Sequence, residues 1–257
     1  MYVKAKKSLG QHFLKDQNIA RKIVNSLSGN GYTDVIEVGP GMGVLTQYLM
    51  EKENFDITVV EIDGESITYL QQHFPQLEGK ILNKDFLRID LSAYFKKPGA
   101  IIGNFPYNIS SQIFFKIVEN RDMVVESVGM IQKEVAERIA APPGSKTYGI
   151  LSVILQAFYK IEYLFTVSEL VFAPPPKVKS AVIRLTRNER KSLDCDESLF
   201  IKVVKTAFNQ RRKTIHNSLK PLNLTSDNHP MLKMRPEQLS VDAFVELTRW
   251  VSQNQEI

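Results

Sequence analysis

The stretch Asn104-Phe105-Pro106-Tyr107 carries the residues of this chain that are best suited to chemistry, and it follows the apolar run 100–103. A short strand ending here would place the Asn104 side-chain oxygen and the Phe105 carbonyl at a sheet edge as hydrogen-bond acceptors. The ring of Tyr107 would stand beside them as a stacking face. Two acceptors and one ring suit a flat base with an exocyclic amine. We therefore interpret the tetrapeptide as a site where an adenine amine is methylated.

A glycine-rich turn, Gly39-Pro40-Gly41-Met42-Gly43, lies between a predicted strand at 34–38 and a predicted helix. Glycine allows the backbone to approach a ligand closely, and helix N–H groups then point toward that ligand. Glu61 ends the next predicted strand, where a carboxylate can accept both hydroxyls of a ribose. Asp85 ends the third strand and could accept the exocyclic amine of an adenine, with Phe86 against the ring. The pattern predicts a nucleoside-type cofactor.

Two other nucleotide motifs fit less well. A dinucleotide fingerprint requires G-x-G-x-x-G, but position 44 is Val and the third glycine comes one residue early. The turn suits a ligand without a pyrophosphate, although a dinucleotide-dependent oxidoreductase stays an alternative. The segment Gly144-Ser145-Lys146-Thr147 resembles a phosphate loop, but Ser145 separates its glycine from its lysine. We interpret that segment as a flexible loop.

The elements that position these residues follow from hydrophobic periodicity. Strand-like and helix-like segments alternate up to about residue 190, which predicts a parallel sheet covered by helices on both faces. The strand pattern then stops, and helices are predicted at 199–209, 212–219 and 236–253. The sequence therefore predicts two domains, 1–190 and 191–257, and places the candidate site in the first.

Composition narrows the class of protein. The 257 residues are 43% hydrophobic and 24% charged, as in an ordinary globular protein. The single cysteine, Cys195, excludes an internal disulfide, and four dispersed histidines do not make a typical metal site. No apolar run approaches the roughly 18 residues of a membrane span, and the basic amino end lacks the features of a secretion signal. We expect a cytoplasmic protein with no metal and no membrane association.

The net charge of +5 is modest but unevenly placed. Residues 177–220 contain twelve Lys or Arg against four Asp or Glu, and the first 22 residues contain six against one. Clustered positive charge fits a polyanion, because neutralised phosphates release counterions. The alternative is that both clusters are only solvated faces, and charge alone does not decide between the two.

Two further motifs narrow the class of protein again. They are Lys7-Ser8-Leu9-Gly10-Gln11-His12-Phe13-Leu14 and the proline-rich segment 172–180. Together with the glycine-rich turn and the tetrapeptide at 104–107, they closely resemble the bacterial small-subunit ribosomal RNA adenine N6,N6-dimethyltransferase family, whose loss gives kasugamycin resistance. The resemblance implies a Rossmann-like class I methyltransferase with a mostly parallel seven-stranded sheet and a small C-terminal all-helical domain. It also implies S-adenosyl-L-methionine as the cofactor.

The resemblance assigns roles to residues of this chain. The implied cofactor contacts are His12, Leu14, Gly39, Gly41, Glu61, Asp85, Phe86 and Asn104. The implied catalytic residues are Asn104, Phe105, Pro106 and Tyr107, with Phe172 closing the other side of the target base. Lys6, Lys7, Arg211, Arg212 and Lys213 would hold the RNA backbone. One departure is His12, because many family members carry Asn at that position.

The resemblance also implies a substrate, namely two adjacent adenosines in a hairpin loop near the 3′ end of 16S rRNA. It implies that the enzyme is a monomer, acts on this RNA within the 30S subunit and takes part in ribosome biogenesis. Two alternatives share the fold. One is a 23S rRNA adenine N6-methyltransferase of the macrolide-resistance type, and the other is a ribosome-assembly factor without catalytic activity. The intact tetrapeptide at 104–107 argues against an inactive protein.

Overall fold

The protein is described by a computed structural model that covers residues 3–255. Its residues form two compact units. The first comprises the described residues up to Ala136 together with Glu162–Arg187, and the second comprises Glu137–Ile161 and the described residues from Asn188 onward. The chain thus leaves the first unit and returns to it, whereas the sequence predicted one boundary near residue 190. The outer limits of the two predicted domains, 1–2 and 256–257, lie outside the described residues.

The strands among the described residues are β1 (Phe13–Leu14), β2 (Asp34–Val38), β3 (Asp56–Glu61), β4 (Ile81–Asn83), β5 (Gly99–Asn104), β6 (Val124–Gln132), β7 (Tyr159–Val167), β8 (Phe172–Ala173) and β9 (Ser180–Arg187). Seven of them form one sheet in the order β4-β3-β2-β5-β6-β9-β7. The pairs β3–β4, β2–β3, β2–β5 and β5–β6 are parallel, and β9 runs antiparallel to β6. The predicted, mostly parallel seven-stranded sheet is confirmed.

The central strands are buried along almost their whole length. All five residues of β2 are buried, as are the first five of β5. Continuous burial rather than alternation is the signature of a parallel strand with helices on both faces. Strand order reverses between β2 and β5, and in sheets of this kind ligands bind beyond the carboxyl ends of the strands at such a reversal. The fold therefore directs attention to the segments that follow β2, β3, β4 and β5.

The helices among the described residues are α1 (Gln17–Val24), α2 (Thr46–Met50), α3 (Gly64–His73), α4 (Ser110–Glu119), α5 (Lys133–Ala140), α6 (Ile150–Phe158), α7 (Glu197–Asn209), α8 (Ile215–Ser218) and α9 (Val241–Asn254). Three differ from the prediction. Helix α5 was not predicted, α8 is shorter than the predicted 212–219, and α9 begins only at Val241. Pro236–Gln238 forms a separate 3-10 turn, and Ser240 caps α9 by accepting a hydrogen bond from the Ala243 amide at 3.1 Å. No helix among the described residues is long and apolar enough to cross a membrane.

An N-terminal arm, residues 6–15, is paired with the proline-rich segment. Strand β1 runs antiparallel to β8, with Phe13 opposite Ala173 and Leu14 opposite Phe172. The Lys15 amide extends the pairing by donating to the Val171 carbonyl at 2.8 Å. The sequence did not predict this pairing, because two-residue strands leave no periodicity to read.

Candidate active site

One cavity opens at the carboxyl edge of the sheet, within the first unit. It is lined by the arm and by the segments that follow β2, β3, β4 and β5: Leu9, Gly10, Gln11, His12, Phe13, Val38, Gly39, Gly41, Val60, Glu61, Ile62, Lys84, Asp85, Phe86, Leu87, Asn104, Phe105, Pro106, Tyr107, Asn108 and Ile109. Ten of these residues are ones that the sequence predicted for cofactor binding or catalysis. The structure therefore brings most of the predicted site together.

The glycine-rich turn is tied to the end of β3. Gly39 and Gly41 have φ values of 67° and 57°, in the left-handed region that favours glycine. The Gly41 amide donates to Glu61 Oε2 at 3.1 Å, while the amides of Ile62 and Asp63 donate to Glu61 Oε1 at 2.8 and 2.9 Å. Glu61 is 5% exposed, and burial raises the pKa of its carboxyl although these amide bonds oppose the shift. The carboxylate is therefore held rigidly at the cavity wall.

Asp85 and Phe86 form the wall beyond β4. Asp85 Oδ1 accepts a hydrogen bond from the Leu87 amide at 2.9 Å, and its Oδ2 lies 3.4 Å from Nε of Arg88. Phe86 is 4% exposed, and the Lys116 ammonium lies 5.8 Å from the centre of its ring. The short turn after β4 therefore places Asp85 and Phe86, which were predicted as cofactor contacts, at the cavity wall.

Asn104 ends β5 and is oriented by the arm. Its Nδ2 donates to the main-chain carbonyl of His12 at 2.9 Å. Since a carbonyl only accepts, this bond identifies the nitrogen end of the carboxamide and leaves Oδ1 as an acceptor. The His12 ring is fixed as well, because its Nδ1 lies 2.9 Å from the Pro174 carbonyl and must be the protonated nitrogen there.

Tyr107 and Phe105 differ in their exposure, since Phe105 is buried and Tyr107 is half-buried. The Tyr107 hydroxyl bonds to Ser180 Oγ at 2.5 Å, and its ring centre lies 5.4 Å from that of His12. Burial raises the pKa of the Tyr107 hydroxyl, so the phenol stays neutral. The Phe105 side chain is 1% exposed and packs edge-on against Phe114. Only its main chain is available to a ligand.

The side chains of two predicted contacts, Leu14 and Phe172, do not face the cavity. Leu14 and Phe172 are 4% and 1% exposed and belong to the hydrophobic core. Successive residues of a strand face opposite sides, so Phe13 lines the cavity while Leu14 points away from it. Phe172 lies directly opposite Leu14 in the antiparallel pair and therefore shares its buried face. The burial of the Phe172 ring argues against its forming the second wall of a base pocket, and that role stays a prediction.

Lys6 is engaged within the first unit rather than free for RNA. Its ammonium forms ion pairs with Asp63 and, at 3.1 Å, with Glu65, and these hydrogen bonds raise its pKa. Gln11 Nε2 also donates to Asp63, at 3.4 Å. The Asp63 side chain thus anchors the arm over the cavity. Lys7, the next residue, is exposed.

The three basic residues predicted at 211–213 differ in environment within the second unit. Arg211 is half-buried, and its Nη2 donates to the main-chain carbonyls of Ser145, at 3.4 Å, and Lys146. Arg212 and Lys213 are exposed. The prediction of a direct RNA contact is therefore supported by exposure at two positions and opposed at Arg211.

Sequence reasoning missed Glu37 and Asp63. Glu37 lies inside β2 and is 1% exposed, and burial raises the pKa of its carboxyl to about 8. The hydroxyl of Thr46 donates to its Oε2 at 2.6 Å. A charged residue between the apolar neighbours Ile36 and Val38 was the available signal for Glu37. Asp63 could be recognised only as the cap of α3, because its partner Lys6 is distant in sequence.

The donor set fits an adenosyl cofactor. The glycine-rich turn allows close approach, Glu61 supplies acceptors for ribose hydroxyls, and Asp85 with Phe86 matches an adenine edge and face. Among residues 3–255, no group of three or more His, Cys, Asp or Glu side chains could hold a metal ion. Together with the strand order, this site defines a class I S-adenosylmethionine-dependent methyltransferase.

The chain belongs to the ribosomal RNA adenine dimethylase family, whose model matches residues 2–252. The resemblance identified in the sequence is thereby confirmed. The chain is an S-adenosylmethionine-dependent rRNA adenine dimethyltransferase, and its cofactor is S-adenosyl-L-methionine.

Similar proteins span nearly the whole chain. The "Ribosomal RNA small subunit methyltransferase A" of Parabacteroides distasonis is 61% identical over 96% of this chain and 93% of its own length. The protein of the same name from Bacteroides thetaiotaomicron is 59% identical over 98% and 95%. Among solved structures, a dimethyladenosine transferase from Plasmodium falciparum superimposes with a TM-score of 0.78 at 25% identity, covering 94% of this chain and 98% of that one. The 23S rRNA methyltransferase ErmE shares the fold, with a TM-score of 0.68 at 24% identity over 92% and 99%.

Proposed function

We propose that this enzyme dimethylates the N6 amines of two adjacent adenosines in a hairpin loop near the 3′ end of 16S rRNA. Relatives 55% to 61% identical carry the name of a small-subunit RNA methyltransferase, which supports the choice of RNA. One observation carries the assignment of the site: the bond from Asn104 Nδ2 to the His12 carbonyl, which leaves Asn104 Oδ1 as an acceptor at the cavity.

The reacting amine is a poor nucleophile, because its lone pair is delocalised into the adenine ring. Asn104 Oδ1 and the Phe105 carbonyl accept its two N–H groups, which favours a pyramidal nitrogen with a localised lone pair. When bound, S-adenosylmethionine supplies an electrophilic methyl group on a sulfonium. Tyr107 stacks on the base and sets its plane, a contact worth roughly 1–3 kcal/mol. Methyl transfer leaves N6 as a cation, which then loses one proton to water. Alignment and electrostatics account for the catalysis, and no strong general base is required.

Methylating twice places a further demand on the same residues. After the first transfer the amine has one N–H group and one methyl group, so one of the two acceptors is released. The pocket must then accommodate a bulkier amine. Asn104 is held by His12, whereas the Phe105 carbonyl belongs to the main chain. Both acceptors are therefore held in place for the second transfer as for the first.

The target base must leave its stack to reach the cavity, which favours a loop over a continuous duplex. Exposed Lys7, Arg212 and Lys213 would hold the RNA backbone, since such contacts position the RNA without reading its sequence. We assign cofactor binding and catalysis to the first unit, and binding of the RNA backbone to the second unit together with Lys7 of the arm. We also propose that the enzyme acts as a monomer on the 30S subunit in the cytoplasm.

Tritiated methyl transfer tests this proposal. Purified 30S subunits, naked 16S rRNA and 50S subunits, all from a strain lacking the enzyme, would be incubated with labelled S-adenosylmethionine, and the labelled bases mapped. We expect label on two adjacent adenosines of the small-subunit RNA. Label confined to 23S rRNA would overturn the choice of RNA. Transfer at the same rate by Asn104→Ala would overturn the role of the tetrapeptide.

A further inference from the structure

The segment 144–147, which the sequence suggested to be a flexible loop, is an ordered turn within the second unit. The Gly144 amide donates to the main-chain carbonyl of Glu237 at 2.6 Å. The Tyr148 amide donates to Ser145 Oγ at 3.1 Å, and the Ser145 amide donates to the Pro142 carbonyl at 3.3 Å. The backbone of this turn is therefore fixed by its own unit.

Arg211 joins this turn to the segment 210–213. Its guanidinium Nη2 donates to the carbonyls of Ser145 and Lys146, two consecutive residues of the turn. An arginine with its guanidinium directed at main-chain carbonyls has fewer donors left for a phosphate. The same bonds place the main chain of Lys146 next to Arg211, which directly precedes Arg212 in the chain. The two segments are thereby assembled into one surface.

The cations on this surface have no acidic partner. Lys146, Arg212 and Lys213 are exposed, and no carboxylate among residues 3–255 forms an ion pair with any of them. Other arginines of the second unit are paired: Arg190 lies 2.6 Å from Asp242, and Arg249 lies 2.7 Å from Asp194. Neighbouring like charges without counter-charges favour a bound polyanion.

We propose that Lys146, Arg212 and Lys213 form a binding surface for consecutive backbone phosphates of the RNA, and that Arg211 is its positioning residue rather than a phosphate contact. This basic surface gives the 144–147 turn a function. The inference rests on the proposed RNA substrate, and it adds Lys146 to the RNA contacts while removing Arg211 from them.

Salt-dependent binding to purified 16S rRNA tests the proposal. Affinity would be measured over a range of KCl concentrations for the wild type, Lys146→Gln, Arg211→Gln and the double variant. Each lost phosphate contact lowers the slope of log affinity against log salt by about 0.7 to 0.9. We expect Lys146→Gln to lower the slope by about one contact, and the double variant to bind no more weakly than Arg211→Gln alone, because Arg211 acts through Lys146.

The controls separate the possible failures. Arg249→Gln removes a charge of the same unit that is already paired, and it should leave the slope unchanged. Thermal melting of each variant checks that the second unit remains folded. An unchanged slope for Lys146→Gln, or additive losses in the double variant, would overturn the inference. If the wild type did not methylate 16S rRNA at all, the proposed substrate would fail instead.

Discussion

The side-chain amide of Asn104 donates a hydrogen bond of 2.9 Å to the main-chain carbonyl of His12. The two residues are 92 positions apart in the chain, so this bond connects the end of β5 to the N-terminal arm. It makes the orientation of the catalytic carboxamide depend on the arm, which is anchored in turn by Lys6, Gln11 and Asp63. The arm therefore serves both the cofactor cavity and the acceptor of the target amine.

Replacing Asn104 should remove methyl transfer. Asn104→Ala deletes the acceptor, and we expect the single-turnover rate to fall by about 100-fold or more. Asn104→Asp keeps an acceptor but cannot donate to the His12 carbonyl, so its oxygens would repel that carbonyl and lose their orientation. Both rates would be measured with tritiated cofactor at saturating RNA. RNA affinity serves as the control, and a fully active Asn104→Asp would show that the bond to His12 is dispensable.

Phe172 and Tyr107 should respond differently to loss of their rings. Phe172→Leu keeps an apolar side chain in the core, so we expect normal methylation and a loss of less than about 1.5 kcal/mol in unfolding free energy. Tyr107→Leu should instead lose a stacking contact worth roughly 1–3 kcal/mol. Methylation rates and urea unfolding curves measure the two effects. A large rate loss in a stably folded Phe172→Leu would restore this ring to the base pocket.

Gly129 should be sensitive to a single added methyl group. A Cβ at this position would lie 2.4 Å from Cε2 of the ring of Phe105, the second residue of the tetrapeptide. We expect Gly129→Ala to displace Phe105, costing about 1–3 kcal/mol of stability, and to lower the rate further by moving Asn104. Gly64→Ala is the matched control, because its Cβ meets nothing within 4 Å. Equal activity of the two variants would contradict the prediction.

Lys6 and Lys7 should separate arm anchoring from RNA binding. Lys6→Gln removes the ion pairs with Asp63 and Glu65, so we expect weaker binding of S-adenosylmethionine with an unchanged salt slope for RNA. Lys7→Gln should show the reverse pattern, with the slope lowered by about 0.7 to 0.9. Calorimetry with the cofactor and salt-dependent RNA binding measure the two effects. Matching behaviour of the two variants would contradict the assignment of Lys6 to arm anchoring and of Lys7 to RNA binding.

Glu37 should make stability fall as pH rises. Its carboxyl has an ordinary pKa of 4.5 when unfolded and about 8 when folded. Between these values the folded state binds one more proton than the unfolded state, so unfolding free energy decreases with pH, by up to about 1.4 kcal/mol per unit from this group. Glu37→Gln keeps an acceptor for Thr46 and removes the titration. Urea unfolding at pH 5.5 and 7.5 should therefore show that the variant becomes more stable relative to the wild type at the higher pH. A constant difference between the two proteins would contradict the shift.

The shared edge of the site was predictable from the sequence because it depends on local pattern. Glu61, Asp85 and Asn104 each follow a strand of a parallel set, and the carboxyl ends of parallel strands must meet at one edge. The partners of these residues were not predictable, since Asn104 and His12 are brought together only by the completed fold.

The errors also have physical reasons. Which face a two-residue strand buries is set by its pairing, so the sequence could not place Leu14 or Phe172. Helix α5 begins at Lys133, directly after β6 ends at Gln132, and neither residue is a glycine or proline that would mark the change. The exposure of Lys6 and Arg211 could not be predicted either, because each is engaged by groups far away in the chain.

The contact between Gly129 and Phe105 has an evolutionary consequence. Two positions that share so little space cannot vary independently, so a larger residue at 129 requires a smaller side chain at 105. Among family members these two positions are therefore expected to covary. A member with alanine at 129 and a phenylalanine at 105 would be expected to carry a displaced backbone at the tetrapeptide. Such a pair of positions offers a criterion for sorting active enzymes from relatives that have kept the fold but lost the chemistry.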